Sequence, residues 1–247
     1  MIEQFPGFQP DSFRFFRELS KNNNKLWFDA NRHRYEQSVV RPFRSALALL
    51  SPMLLDLNPS FEVRGKTNEN FSRINRDIRF RQDKSPYKLN YYLYVYDRNL
   101  KRQKDGRLYM GLSEECVTVG FSIYADDRSS CKLERIMKPR IEESLDLLLD
   151  YWRKCSLGRK YQTYWHAMEK KEWIKVDGLP KKLSDWQRLL AWIVRKRFEP
   201  DHRKLATPAF LSEVARIFHE LYPLYVFSSY ERPDWRKEMN RAEEKGS

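Results

Sequence analysis

Glycine is in short supply, with eight residues in a chain of 247. That leaves no material for a glycine-rich phosphate cradle, and neither a P-loop nor a GxGxxG run occurs. Cysteine is scarcer still. Cys116, Cys131 and Cys155 are an odd number without CxxC spacing, which excludes a disulfide framework and points to a reducing, cytoplasmic setting. The four histidines, His33, His166, His202 and His219, fall at no metal-ligand spacing with one another or with a cysteine, and no HExxH or GxSxG run is present. His33, among charged neighbours, reads as a surface residue. No metal and no cofactor are expected. No apolar run approaches the ~18 residues of a membrane span, and the start, MIEQFPGFQPDSF, lacks the basic-then-apolar order of a signal peptide. No membrane partner is expected.

What the chain does have is positive charge. Lys and Arg number 47 against 34 Asp and Glu, a net +13 with a pI of about 9.6. Such an excess favours anionic partners: nucleic acid, phosphorylated small molecules or an anionic membrane face. A basic protein that is merely soluble is the plain alternative. Hydrophobic residues make up 41% and aromatics 15%, enough for a substantial core. The 33% charged residues are spread through that pattern rather than gathered in blocks, which argues for a folded chain.

Periodicity gives the elements. Asp11 or Ser12 should cap a first helix that buries Phe15, Phe16 and Leu19. The run Asn22, Asn23, Asn24 should end it and cap a second helix over 25–35, with Trp27, Phe28, Asn31 and Tyr35 close to one face. A helix over 39–57 follows, with a kink or break at Pro52. Residues 89–97 alternate as a strand, Tyr92, Tyr94 and Tyr96 against Tyr91, Leu93 and Val95. Residues 108–112 and 116–124 form an antiparallel hairpin, one face of it buried by helices. From Leu133 onward the chain reads as mostly helical, with a short helix over 185–193, a possible edge strand over 194–200, and a last helix from Pro208 that Pro223 stops. The expected architecture is a single α+β domain over 1–228, an antiparallel sheet packed by helices on one face, with 229–247 a charged, frayed tail.

The most unusual stretch is 73–88, RINRDIRFRQDKSPYK. Arg73, Arg76, Arg79, Arg81, Lys84 and Lys88 face only Asp77 and Asp83, a local charge of +4. Pro86 biases Ser85 away from helix, so the segment reads as strand, loop, strand. Arginine forks and lysine heads here suit phosphate or carboxylate, and Tyr87 is available to stack on a ring. Equally, Asp77 and Asp83 can pair with these arginines and simply pin the loop. Asn23, Trp27 and Asn31 stand as further candidate ligand contacts, against ordinary helix capping. A metal-dependent nuclease fits poorly: Asp83 and Lys84 are adjacent, so on a strand they point to opposite faces. Basic and aromatic residues also interleave between 151 and 203, as on a nucleic-acid surface or on solvated helices with rings turned inward.

With NNNKLWFDANRHRY near the start and TPAFLSEVARIFHELYPLYVF near the end, this central stretch resembles domain-of-unknown-function family 2461, a bacterial and fungal family, over residues 8–227. The family's central motif falls on Arg73, Arg76, Asp77, Arg79, Phe80, Asp83, Lys84, Pro86, Tyr87 and Lys88, its N-terminal one on Asn22, Asn23, Trp27, Phe28, Asn31 and Tyr35. Asn75 stands where an aromatic is common, Arg81 where serine is, and Phe121 near a customary glycine. The resemblance implies a fold unit and a site, not an activity. Three functions remain open: binding of a phosphate-bearing or other anionic ligand, nucleic acid included, at 73–88; an enzyme on a small phosphorylated or acidic substrate, with Asp77 or Asp83 as base; and a non-catalytic structural or interaction module.

Overall fold

The computed structural model describes residues 4–80, 82–125, 131–167 and 172–246. Helix α1, Pro10–Lys21, starts on a proline whose fixed φ suits a first turn. Asp11 and Ser12 do not cap it. Gln9 holds the cap position, and Asp11 instead pairs with Arg34 at 2.7 Å and accepts a bond from Ser38. Asn22 and Asn24 do end one helix and begin the next, Asn24 accepting from the Trp27 amide at 3.0 Å to cap α2, Lys25–Ala30. The single helix expected over 25–35 is interrupted at Asn31. A short α3, Arg32–Tyr35, then passes through a π-helical turn, Glu36–Val40, into α4, Arg41–Leu57. Pro52 lies inside α4 on its exposed side, where water can reach the carbonyl that the missing donor leaves free, and the helix does not break there.

Strands β1, Asn90–Val95, β2, Arg107–Ser113, and β3, Val117–Tyr124, pair antiparallel in the expected register of alternation. Tyr91, Leu93 and Val95 are buried on one face of β1, and Tyr92 and Tyr94 lie on the other. The second half departs from the expectation of helix. After α5, Lys138–Lys154, and α6, Leu157–Lys160, come β4, Gln162–Ala167, β5, Ile174–Val176, a one-turn α7, Leu183–Gln187, and β6, Leu189–Phe198. The helix expected over 185–193 therefore stops at Gln187. The strand after it is no edge: the six-stranded sheet runs β1-β2-β3-β6-β4-β5, all antiparallel, with β6 between β3 and β4. Ile193 and Val194 favour a pleated backbone, but their partners on β3 lie some seventy positions upstream, a pairing no local pattern reveals.

Helix α8, Ala209–Ser229, packs on β2 and β3 and against α4, and buries Phe210, Leu211, Val214, Ile217, Phe218 and Leu221 as the spacing predicts. It runs through Pro223 rather than stopping. A proline inside a helix costs about 3 kcal/mol, whereas each large apolar side chain buried beyond it stabilises by ~1.5–3 kcal/mol, and Leu224, Tyr225, Val226 and Phe227 are all buried. The frayed tail is likewise corrected. Trp235–Gly246 forms α9, whose Trp235, Met239 and Ala242 are buried as it packs on α8. The result is a single-domain α+β fold with its helices on one face of an open sheet. Among the described residues no helix is long and apolar enough to cross a membrane.

Candidate anion-binding site

The 73–88 stretch runs beside the free edge of β1. Phe71 bridges Leu93, the Ser72 amide donates to the Tyr92 carbonyl at 2.9 Å, and the chain then turns out into a hairpin. The hairpin is held by an Asn75–Tyr87 bridge, by the Arg76 amide on the Pro86 carbonyl at 2.8 Å and by the Lys88 amide on the Ile74 carbonyl at 2.7 Å. The strand, loop, strand expected is reduced to a loop closed by this one isolated bridge, with no strand on either side of it among the described residues of 73–88. Arg81 lies outside the described residues.

Tyr87 and Asn23 anchor the hairpin to the helices. The Asn23 carboxamide acts as one more peptide unit: its Nδ2 donates to the Tyr87 carbonyl at 2.9 Å and its Oδ1 accepts from the Tyr87 amide at 3.0 Å. The Tyr87 ring is buried and stacked on Phe28 at 4.1 Å between centroids, so it is packed within the fold rather than offered to a ligand. Trp27 is half-buried against Phe15. Asn31 donates to the Trp27 carbonyl at 3.0 Å and accepts from Arg34 at 2.9 Å, which accounts for both ends of its amide as a helix terminus.

The charges at the tip are partly neutralised by their own neighbours. Asp77 receives Arg79 side-on, with Nε at 3.0 Å and a terminal nitrogen at 2.7 Å. Asp83 accepts from the Ser85 amide at 2.9 Å and from Arg76 at 2.5 Å. The Ser85 bonds, with Arg76 behind them, hold the Asp83 carboxyl well below the usual range, the wrong direction for a general base near neutral pH. Lys84 donates to the Ile78 carbonyl at 3.1 Å. Arg73 is exposed and, among the described residues, has no carboxylate within ion-pair distance.

Two hollows flank the hairpin and share Arg76, Asp77 and Lys88. One, of about 660 Å³, also takes in Asn90 and Phe80, a ring left 95% exposed at the tip beside Arg79. The other, of about 650 Å³, lies between the hairpin and the loop that joins β1 to β2. It is lined by Arg73, Arg76, Arg79, Lys88 and Arg102 with Asp77 as its carboxylate. The structure thus brings Arg73, Arg76, Asp77, Arg79 and Lys88 to one cleft, leaves Tyr87 and Asn23 in the hairpin's support, and keeps Trp27 and Asn31 within the helical region. Sequence reading missed Arg102. It sits in RNLKRQKDGR, a basic connection that looks like any other solvated loop. In the fold it is half-buried, donates to the Phe71 carbonyl at 3.4 Å and lies 5.1 Å over the Tyr94 ring.

Among the described residues, no group of His, Cys, Asp and Glu is placed to hold a metal ion. No curated protein matches the chain. Residues 11–227, most of its length and the whole of the hairpin and sheet, match the profile of DUF2461, a family of conserved hypothetical proteins, and the chain belongs to that family.

Proposed function

We propose that this protein binds a phosphate-bearing ligand, with nucleic acid as the macromolecular partner, in the cleft between the basic hairpin and the loop carrying Arg102. The observation that supports this is the lining: five cationic side chains against one carboxylate. Guanidinium forks and an ammonium group around one hollow match phosphate oxygens. The ion pairs at the tip do not cancel this. The Arg79–Asp77 pair is exposed on both sides, and solvent screens such a pair enough for an incoming phosphate to displace it.

The test is a fluorescence titration with a labelled single-stranded oligonucleotide and, in parallel, inorganic polyphosphate, across a salt series. Affinity for both should fall linearly on logarithmic axes. Arg73→Ala combined with Arg102→Gln should flatten the oligonucleotide slope by about 1.4, at ~0.7 per single-strand phosphate contact removed, while the melting temperature holds. A slope untouched by both substitutions, or binding indifferent to salt, rejects the reading.

A further inference from the structure

The helices cover one face of the sheet. The other carries a continuous set of tyrosines and arginines, and the strand register places them in rows. Tyr94, Tyr109, Gly120, Arg195 and Gln162 lie side by side across β1, β2, β3, β6 and β4. The next row holds Arg107, Ser122, Ile193 and Tyr164. Gly120 has no side chain to fill the gap between Tyr109 and Arg195. On the neighbouring strand Gly111 lets the Tyr92 ring lie flat, since a Cβ there would meet that ring at 2.3 Å. The outcome is a hollow of about 220 Å³ lined by Tyr92, Tyr94, Tyr109, Ser122, Tyr124, Ile193 and Arg195.

One cation, Arg195, lines this hollow, and a second, Arg107, stacks on two of the rings that line it; each has a donor to spare. Arg107 is only 9% exposed, lies 5.2 Å over Tyr94 and 4.6 Å over Tyr124, and its Nε is buried without a hydrogen-bond partner. Arg195 lies 4.3 Å over Tyr164, with its Nε buried and unpartnered in the same way. Among the described residues, neither has a carboxylate within ion-pair distance, and no acidic residue lines the hollow. Buried guanidinium donors that nothing satisfies call for acceptor atoms from outside. Aromatic walls call for a flat ring. The volume is below the ~300–1,000 Å³ of sites for drug-sized ligands, so what enters is about one ring in size. The hollow also adjoins the phosphate cleft, because Arg102 lines that cleft and stacks on Tyr94, which lines the hollow.

We propose that the sheet face opposite the helices is a base-binding platform for single-stranded nucleic acid. One base enters the tyrosine-lined hollow, its carbonyl oxygens and ring nitrogens accepting from Arg195, with the charge of Arg107 against the Tyr94 and Tyr124 rings of the wall, while the phosphates beside it lie in the cleft of Arg73 and Arg102. This rests on the phosphate-binding reading of that cleft and adds the ligand class. It also gives a use to the basic and aromatic residues of 151–203: Trp165, Trp186 and Trp192 turn into the core, whereas Tyr164 and Arg195 stand on the open face.

The deciding measurement compares two labelled strands of roughly ten units, within the ~4–16 nucleotides that one small binding module covers. One is a single-stranded oligonucleotide and the other an abasic strand with the same phosphates. The unmodified protein should bind the base-bearing strand about 5- to 160-fold more tightly, the gain from one stacked base. Ser122→Phe, which fills the hollow, and Arg195→Gln, which keeps the size but not the charge, should each erase that difference and leave affinity for the abasic strand alone. Equal affinity of the unmodified protein for both strands overturns the platform and leaves the phosphate cleft standing. Binding to neither overturns both, and needs no variant to fold.

Discussion

Asp105 is the residue most at odds with its surroundings. It is fully buried at the turn before β2, where one carboxylate oxygen accepts from the Asp97 amide at 2.9 Å and the Tyr225 hydroxyl at 3.0 Å. The other oxygen has no hydrogen-bond partner. Burial pushes this carboxyl up to about 6, so the folded protein holds the proton more tightly than the unfolded chain does. The stability gained from the neutral form is then complete below about pH 4 and lost as pH rises through 6, a difference of up to about 3 kcal/mol. The midpoint of urea unfolding should therefore fall between about pH 4 and pH 7, most steeply before pH 6, and then level off. Asp105→Asn should flatten that fall and gain most on the natural chain above pH 7. A variant whose profile parallels the original would exonerate Asp105. Glu213 does not mask the step. Burial works to raise its carboxyl, but bonds from Lys196, Arg216 and Lys204 outweigh this and bring it down to about 2, so its contribution disappears only in stronger acid.

Among elements, the basic hairpin depends on one borrowed peptide group. Both backbone groups of Tyr87 pair with Asn23, on the turn between α1 and α2, and the Phe28 ring lies against the Tyr87 ring. Asn23→Ala should therefore cost about 1–3 kcal/mol, the typical penalty for leaving such groups unpaired. It should also release the Tyr87 amide to rapid hydrogen exchange while amides in β2 and β3 stay protected. Unchanged protection at Tyr87 would mean that the bridge to Asn75 holds the hairpin unaided. The far end of α8 is supported differently. Arg140 donates to the carbonyls of Val226, Phe227 and Tyr230 and lies 4.4 Å over Trp235, and Lys132 donates to the Ser229 carbonyl at 2.6 Å. The last turn of a helix leaves carbonyls without partners, and cations are the natural group to satisfy them.

For the molecule as a whole, α9 completes the helical layer. Trp235 packs edge-on against Phe227 at 5.6 Å, and Met239 and Ala242 are buried beyond it. Deleting residues 235–247 should lower stability by about 3–6 kcal/mol, the burial of one Trp and one Met at ~1.5–3 kcal/mol each. A drop of several degrees in melting temperature is the expected reading. A loose tail would come away without effect. The same layer explains why the sheet has two unlike faces: among the described residues every long helix contributes to one side, and tyrosines and arginines stand on the other.

Periodicity in the sequence was enough to determine the apolar stripes of α1, α4 and α8, the alternation of β1, and the β2–β3 hairpin. Each is written in neighbours two, three or four positions apart, where side-chain direction follows directly from backbone geometry. The clustering of charge in 73–88 was legible for the same reason. What lay beyond it depends on pairings between distant residues. Only packing could decide that β6 joins β3 at the centre of the sheet, that Pro223 is overruled by the residues after it, and that Trp235 has a surface to cover. Tertiary structure also separated Tyr87, drawn under Phe28, from Arg102, brought to the cleft. In the sequence both are a ring or a cation near other charges, and their difference arises from which side of β1's edge the chain places them.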